Sequence, residues 1–364
     1  MNAPHRLKTS DFHYDLPKDR IAQHPAPARD GSRLMGLDRS TGAIRHHRFH
    51  ELPSLLNRGD LLVVNDTRVL PARLYAAVAG GASEAVSRDR EVEILLLREE
   101  PSQRSEHVWS ALARPAKALR PGATLRFTDP SYGGQVTGIG ERGVRHLVFT
   151  AASAGAPSFE TWLARVGHVP LPPYIARPDE PGDRERYQTI FAREPGSVAA
   201  PTAALHFTDR TVTALKERGV EIAYVTLHVG PGTFRPVATE HPEEHSLDPE
   251  PYRVPPETVA ALQASRALGG RVIAVGTTCV RALESWARDG EPPEGAWRDT
   301  GLFILPPFEF RVVGGMVTNF HLPRSSLLML VSAFAGRERV LGAYEAAVAD
   351  GYRFYSYGDA MFLT

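Results

Sequence analysis

One interruption of pattern constrains the fold more than any other feature of the sequence. Between about Leu70 and Thr150 the chain breaks into short apolar runs, VEILLL (92–97), HVWSALA (107–113), ATLRF (123–127) and VRHLVF (144–149), separated by Gly, Pro and charged turns. Strands at such close spacing form a barrel or sandwich. From Gly219 onward VEIAYVTLHVG, RVIAVG, GLFIL and GGMVTNF read as buried strands, alternating with helical stretches over 256–268, 277–288 and 325–335. That alternation specifies layered α/β structure. The run LLVVN (61–65) is a buried strand of the same kind, so the all-β unit interrupts one α/β domain. The expected architecture is a layered α/β domain of residues 1–69 and 151–364, with a small all-β, barrel-like domain of residues 70–150 inserted in it. The polar stretch GGASEAVSRDR (80–90) reads as a hairpin loop, and PLPPYIARPDEPGD (170–183) as a proline-rich loop.

The 364 residues suffice for about two domains and a sizeable core. No N-terminal apolar run resembles a signal peptide, and Leu327–Ala335 falls well short of the ~20 residues that cross a bilayer. A cytoplasmic protein without membrane contact, and a monomer, is expected. The single cysteine, Cys279, excludes an internal disulfide and a multi-thiolate zinc site. Forty-two basic and 42 acidic residues cancel, so a nucleic-acid partner must be held by a local patch.

Polar clusters sit where strands end, the usual ligand position in an open α/β sheet. NDTRV (65–69) sends Asn65, Asp66 and Arg68 out of a buried strand, as ligand contacts or as an Asx-turn. GSVAAPTAALHF (196–207) allows close backbone approach and carries Thr202 and His206. TLHVGPGTFRPV (226–237) places His228 at a strand end before Gly230, Gly232 and Thr233, whose amides can face an anion or simply turn the chain. VGTTCVRALE (275–284) feeds a helix with Thr277 or Thr278 at its cap and Arg281 one turn in, suited to a carboxylate. TNFHLPRSSLLMLVSAFAG (318–336) delivers Asn319 and His321 before a helix apolar on nearly every face, with Ser325 and Ser326 as caps. HPEEH (241–245) fits a metalloprotease string, but Pro236, Pro242, Pro249 and Pro251 deny it the required helix, so no metal is expected.

Taken in order, GDLLVVNDTRVLPARL, PLPPYI, YQTIFA, GSVAAPTAALHF, HVGPGTFRPV, VGTTCVRALES, TNFHLPRSSLLMLVSAFAG and YRFYSYGDAMF resemble the S-adenosylmethionine:tRNA ribosyltransferase-isomerase family along nearly the whole chain. The resemblance implies an α/β domain with an inserted β-barrel, acting on tRNA that carries 7-aminomethyl-7-deazaguanine at the wobble position. S-adenosylmethionine is then a consumed substrate and no cofactor is needed: its ribose is transferred and isomerised to give epoxyqueuosine, releasing adenine and methionine. That chemistry requires a base for the C5′ proton and an acid.

The acid–base candidates are His206, His228, His245 and His321, with Asp66, Asp248 and Glu250 as carboxylate alternatives. Adenosine would lie among residues 199–205, and the methionine carboxylate at Thr277, Thr278 and Arg281. Arg68 and Arg73 near the domain junction, and Tyr174 and Arg177 in the proline-rich loop, are candidates for holding tRNA phosphates or stacking a base. The sequence departs from the family pattern at Ala204, where glycine is usual, and at Cys279, where serine is usual. It departs also at Asp248, which replaces the second histidine of a His-x-Met-His-x-Glu string. A metal hydrolase built on His241 and His245, and a non-catalytic RNA-binding protein using the β unit, are the competing expectations.

Overall fold

The computed structural model describes residues 6–79, 91–102, 106–230, 232 and 236–364. Thr233 and the hairpin loop expected at 80–90 lie outside the described residues. The chain opens with a hairpin of β1 (Arg33–Leu37) and β2 (Ile44–Arg48), then α1 (Leu52–Leu55) and β3 (Leu61–Asn65). The three-residue β4 (Thr67–Val69) leads into β5 (Arg73–Ala79), β6 (Glu91–Glu100), β7 (His107–Arg114), β8 (Thr124–Arg126), β9 (Tyr132–Ile139) and β10 (Arg145–Ala151), which close into a barrel. The return comprises α2 (Phe159–Val166), α3 (Asp183–Arg186), β11 (Glu194–Ser197), α4 (Asp209–Glu217), β12 (Glu221–Leu227) and β13 (Glu250–Arg253). The chain finishes with α5 (Pro256–Ala267), β14 (Val272–Val275), α6 (Thr277–Arg288), β15 (Arg298–Thr300), β16 (Gly315–Asn319), α7 (Ser326–Ala335), α8 (Arg337–Ala349) and β17 (Ala360–Leu363).

The large sheet has nine strands in the order β15-β13-β12-β3-β14-β16-β17-β1-β2. Its centre, β12-β3-β14-β16, is parallel. The continuous apolar run of β3 follows from burial on both faces, because alternate side chains of a strand point opposite ways. Leu61 and Val63 enter the core under α5 to α8, while Leu62 and Val64 enter the one under α1 and α4. The expected α/β layering with an inserted closed barrel is therefore present. In the barrel Val92, Ile94 and Leu96 of β6 point inward, and Phe159 and Trp162 of α2 pack into the same core.

GLFIL (301–305) corrects the expectation of a strand, since it has no regular structure. The polar groups around it are committed elsewhere: the Arg281 guanidinium takes the Thr300 and Leu302 carbonyls, and the Leu302 amide bonds Thr300 Oγ1. No ladder can form through groups already used. β5 and β9 carry weaker hydrophobic signals; β9 contains Gly133, Gly134 and Gly138, and a Cβ on Gly134 would sit 3.2 Å from Leu125. The glycine admits close packing across the barrel at the expense of strand propensity.

Candidate active site at the ends of the parallel strands

Four parallel strands end side by side, with Asn65 opposite Val225 and Val275 opposite Val317, so the polar clusters after them share one edge of the sheet. At the β3–β12 fork the Asn65 side chain imitates a strand. Its Nδ2 donates to the Leu227 carbonyl at 2.9 Å, and its Oδ1 accepts from the Leu227 and Thr67 amides at 3.1 and 3.0 Å. Asn65 thus fixes where the two strands separate. Asp66 accepts from Thr226 Oγ1 at 2.7 Å, and burial raises its pKa. Arg68 points to solvent from β4.

The fork aims His228 at a cavity of about 770 Å³ between the sheet and the barrel. Thr67 Oγ1 lies 2.7 Å from His228 Nδ1, and the indole of Trp297, 45% exposed, stacks on the imidazole at 5.0 Å. Burial lowers the His228 pKa to about 4, so the ring is neutral near pH 7. Gly196, at φ +145°, admits the ring, because a Cβ there would sit 2.7 Å from Nε2. Barrel residues Trp109 and Glu141 and α2 residues Phe159 and Glu160 form the opposite wall.

The same cavity contains Gly230, Gly232, Asp248, Glu250 and Arg281. Glu250 accepts the Gly230 amide at 2.8 Å and pairs with Arg281, itself 4% exposed. Arg281 also holds the Leu302 and Thr300 carbonyls at 3.0 and 3.2 Å. In this arrangement its charge is matched within the chain and tightens the wall. Asp248 pairs with Arg142 of the barrel, bringing the two units together across the cavity. His245 lies outside the cavity lining, edge-on to Phe303 at 5.5 Å, and its pKa is lowered chiefly by burial.

The mouths of β14 and β16 are closed by contrast. Thr202, Thr277, Thr278, Asn319, His321 and Tyr174 surround about 40 Å³, room for a few waters and not for a nucleoside. The placement of adenosine among 199–205 is not accommodated there in this packing. Asn319 Nδ2 donates to His206 Nε2 at 3.2 Å, leaving His206 Nδ1 to donate to Ser32 Oγ at 2.7 Å; Thr202 Oγ1 donates to Asn319 Oδ1 at 2.8 Å. His206 also stacks on Phe49. His321 Nε2 lies 2.8 Å from Thr318 Oγ1, while its main chain is held by the Tyr14 and Tyr344 hydroxyls. Burial lowers His206 to about 4 and His321 to about 3. Both are neutral parts of a fixed network.

Two helix caps separate expectation from outcome. Ser325 caps α7 through the Leu328 amide at 3.2 Å, as expected. The α6 cap is a correction: the helix begins at Thr277, the cap is Gly276 at φ +89°, and no side chain serves it. The turn out of β14 needs a left-handed residue, which only glycine adopts freely. Tyr174 packs on Tyr355 with ring centroids 3.9 Å apart and touches Ser356 through its hydroxyl. Arg177 makes two bonds to Asp183, at 2.6 and 2.9 Å, and Arg73 holds the Leu171 carbonyl and Glu93. His241 and His245 flank a short turn, Pro242–Glu244, with His241 on the Leu7 carbonyl and Glu243 and Glu244 on Arg6. Sequence reasoning missed Thr67 and Trp297; a tryptophan inside the polar stretch EPPEGAWRD was the available signal.

The class this defines is an open α/β protein with a strand-end crevice that an inserted barrel closes over. Residues 9–363 match the family model described as queuosine biosynthesis protein. The chain is 47% identical to the S-adenosylmethionine:tRNA ribosyltransferase-isomerase of Desulfitobacterium hafniense, covering 98% of this chain and 100% of the other. It is 48% identical to the enzyme of the same name from Pelobacter propionicus, with the same coverage. The crystal structure of S-adenosylmethionine tRNA ribosyltransferase from Thermotoga maritima matches at 38% identity with a TM-score of 0.53, over 98% of this chain and 100% of that one. The chain belongs to the queuosine biosynthesis family of S-adenosylmethionine:tRNA ribosyltransferase-isomerases.

Proposed function

We propose that this protein transfers and isomerises the ribose of S-adenosylmethionine onto 7-aminomethyl-7-deazaguanine at the wobble position of tRNA, forming epoxyqueuosine and releasing adenine and methionine. One observation carries the reading: relatives bearing that enzyme name align over 98% of this chain and all of their own length, so barrel and sheet are both included. S-adenosylmethionine is consumed and no cofactor takes part. The protein works as a cytoplasmic monomer; among the described residues no helix is long and apolar enough to cross a membrane.

The cavity of about 770 Å³ is the reaction chamber, the space of the right size for a nucleoside beside a second base. Trp297 and His228 offer a stacked aromatic face to a heterocycle. His228 is the base for the C5′ proton: it is neutral near pH 7, oriented by Thr67 and open to the chamber. The conjugate imidazolium can return that proton to a leaving group. Asp248 and Glu250 stand on the chamber wall as acidic partners, and Gly230 and Gly232 bring backbone to the ligand. Thr277, Thr278, Asn319 and His321 hold the neighbouring closed mouth, which meets the chamber at Val229. Incubating the protein with S-adenosylmethionine and precursor-modified tRNA should release adenine in step with an epoxy nucleoside seen by mass. Absence of both defeats the reading.

A further inference from the structure

Neutral overall charge leaves open where a polyanion would sit. Arg177, the sequence candidate in the proline-rich loop, is already matched by Asp183. A different set of arginines gathers where the segment before β1, the end of α3 and the segment before β17 meet. Arg29 donates to the Leu205 carbonyl at 3.2 Å and the Glu185 carbonyl at 2.7 Å. Arg186 donates to the Pro27 and Ala26 carbonyls at 3.1 and 2.6 Å, and Arg353 to the His24 and Tyr357 carbonyls. All three are half-buried. Among the described residues none has a carboxylate within ion-pair distance, although 42 acidic residues balance 42 basic ones over the chain.

Arg29 and Arg186 line one small cavity, and Arg186 Nε is buried without a hydrogen-bond partner. Arg353 reaches the same place through the Tyr357 carbonyl, Tyr357 being part of the cavity lining. After burial, the largest influence lowering the Arg29 pKa is the like charge of Arg186; Glu185 opposes it more weakly. Main-chain carbonyls fix the guanidinium planes while leaving their net charge uncancelled. Such preordered, uncompensated guanidinium groups are suited to phosphate oxygens. Like charges forced together without a counterion are costly, and an incoming phosphate relieves that cost.

The position connects this cluster to the strand ends. The turn Tyr355–Gly358 borders both places: Tyr355 and Ser356 line the closed mouth beside Asn319 and His321, while Ser356 and Tyr357 line the arginine cavity. His206 forms the partition, touching the arginine cavity and bonded to Asn319.

We infer that Arg29, Arg186 and Arg353 form a cradle for backbone phosphates of the tRNA anticodon arm, setting the arm against the strand-end face of the sheet. The inference rests on the proposed function for the identity of the polyanion. Phosphates positioned here confer register without reading sequence.

The test is tRNA binding to the intact protein by fluorescence anisotropy across a salt series. The double substitution Arg29→Gln and Arg186→Gln keeps amide donors for the carbonyls but removes two charges. Affinity should fall about ten-fold or more, and the slope of log affinity against log salt should shrink by about 1.5, close to 0.7–0.9 per lost phosphate contact. KM for tRNA should rise with kcat largely kept, while S-adenosylmethionine binding and the thermal midpoint stay near wild type. A folded double variant with wild-type affinity and slope overturns the cradle. If the double variant does not fold, R186Q and R353Q are measured singly; each should lose about 0.7 of slope, and an unchanged slope in both overturns the assignment. A wild-type protein that neither binds tRNA nor releases adenine would instead defeat the functional reading.

Discussion

The mouth of β12 and the mouth of β16 lie on the same edge of one sheet and hold the same kinds of residue, yet they have been made into different things. At β12 a histidine is anchored through one nitrogen by Thr67 and faces about 770 Å³ of space, with a buried ion pair, Arg281 to Glu250, bracing the wall. At β16 His321 borders about 40 Å³ and bonds Thr318, while His206, behind Asn319, is held by a separate set of neutral hydrogen bonds. Histidine at a strand end is therefore a poor guide to role. What distinguishes the mouths is how much space the ring faces.

The comparison breaks first at its braces. Arg281→Ala strands the Glu250 carboxylate in the wall and should destabilise the protein by about 3–5 kcal/mol. Asn319→Ala removes a neutral link and should cost only about 1–3 kcal/mol. Urea unfolding of the two variants measures the gap, and equal losses would remove the distinction.

Function separates the mouths next. His228→Ala should lower turnover about 10²- to 10³-fold, read as adenine release, with little change in melting temperature. His321→Gln should act mainly on stability. A loss of turnover in the folded His321 variant as large as that at His228 would move the chemistry to the closed mouth.

Acid should strain the buried rings behind both mouths, since His228, with a pKa of about 4, shares the depression of the two histidines near β16. His206 and His321 have folded pKa values of about 4 and about 3, below the unfolded value of 6.5. A depressed histidine means the unfolded chain binds the extra proton, so this stability is full above pH 6.5 and drains as pH falls toward the folded values. The loss should approach about 1.4 kcal/mol per pH unit for each ring. Denaturation midpoints between pH 7 and pH 5 show it, and His206→Asn should flatten the slope. A midpoint independent of pH would mean that these rings are not buried neutral.

The smallest effect concerns orientation. Thr67→Val removes the hydroxyl beside His228 Nδ1 and should reduce turnover about five-fold, the worth of one net hydrogen bond of about 1 kcal/mol, shifting the acid limb of the pH profile with it. An unchanged profile would show that packing on Trp297 alone orients the ring.

Much of this was legible from residues in order. The strand LLVVN, the helix over Thr277–Arg288 and the Ser325 cap follow from local pattern, as does the insertion of the barrel between two parts of an α/β unit. Local pattern failed where long-range partners took over: GLFIL lost its ladder to Arg281, and β9 hid its strand character behind glycines that the barrel interior requires. The α6 cap went to Gly276 because the path out of β14 needed positive φ.

The sequence by itself determined the layering, the barrel, the family and the set of polar residues at the strand ends, because hydrophobic period and ordered motifs are properties of neighbours in the chain. Only the tertiary structure decided which of those residues are occupied with holding the fold. Asn65 clamps Leu227 and Arg281 answers Glu250 across long stretches of sequence, and Arg177 answers Asp183 within its own loop. Space is likewise a property of the packed whole: His228 has a chamber because the barrel stands off from the sheet there, and His206, packed by Phe49, Ser32 and Asn319, touches only a cavity of about 20 Å³.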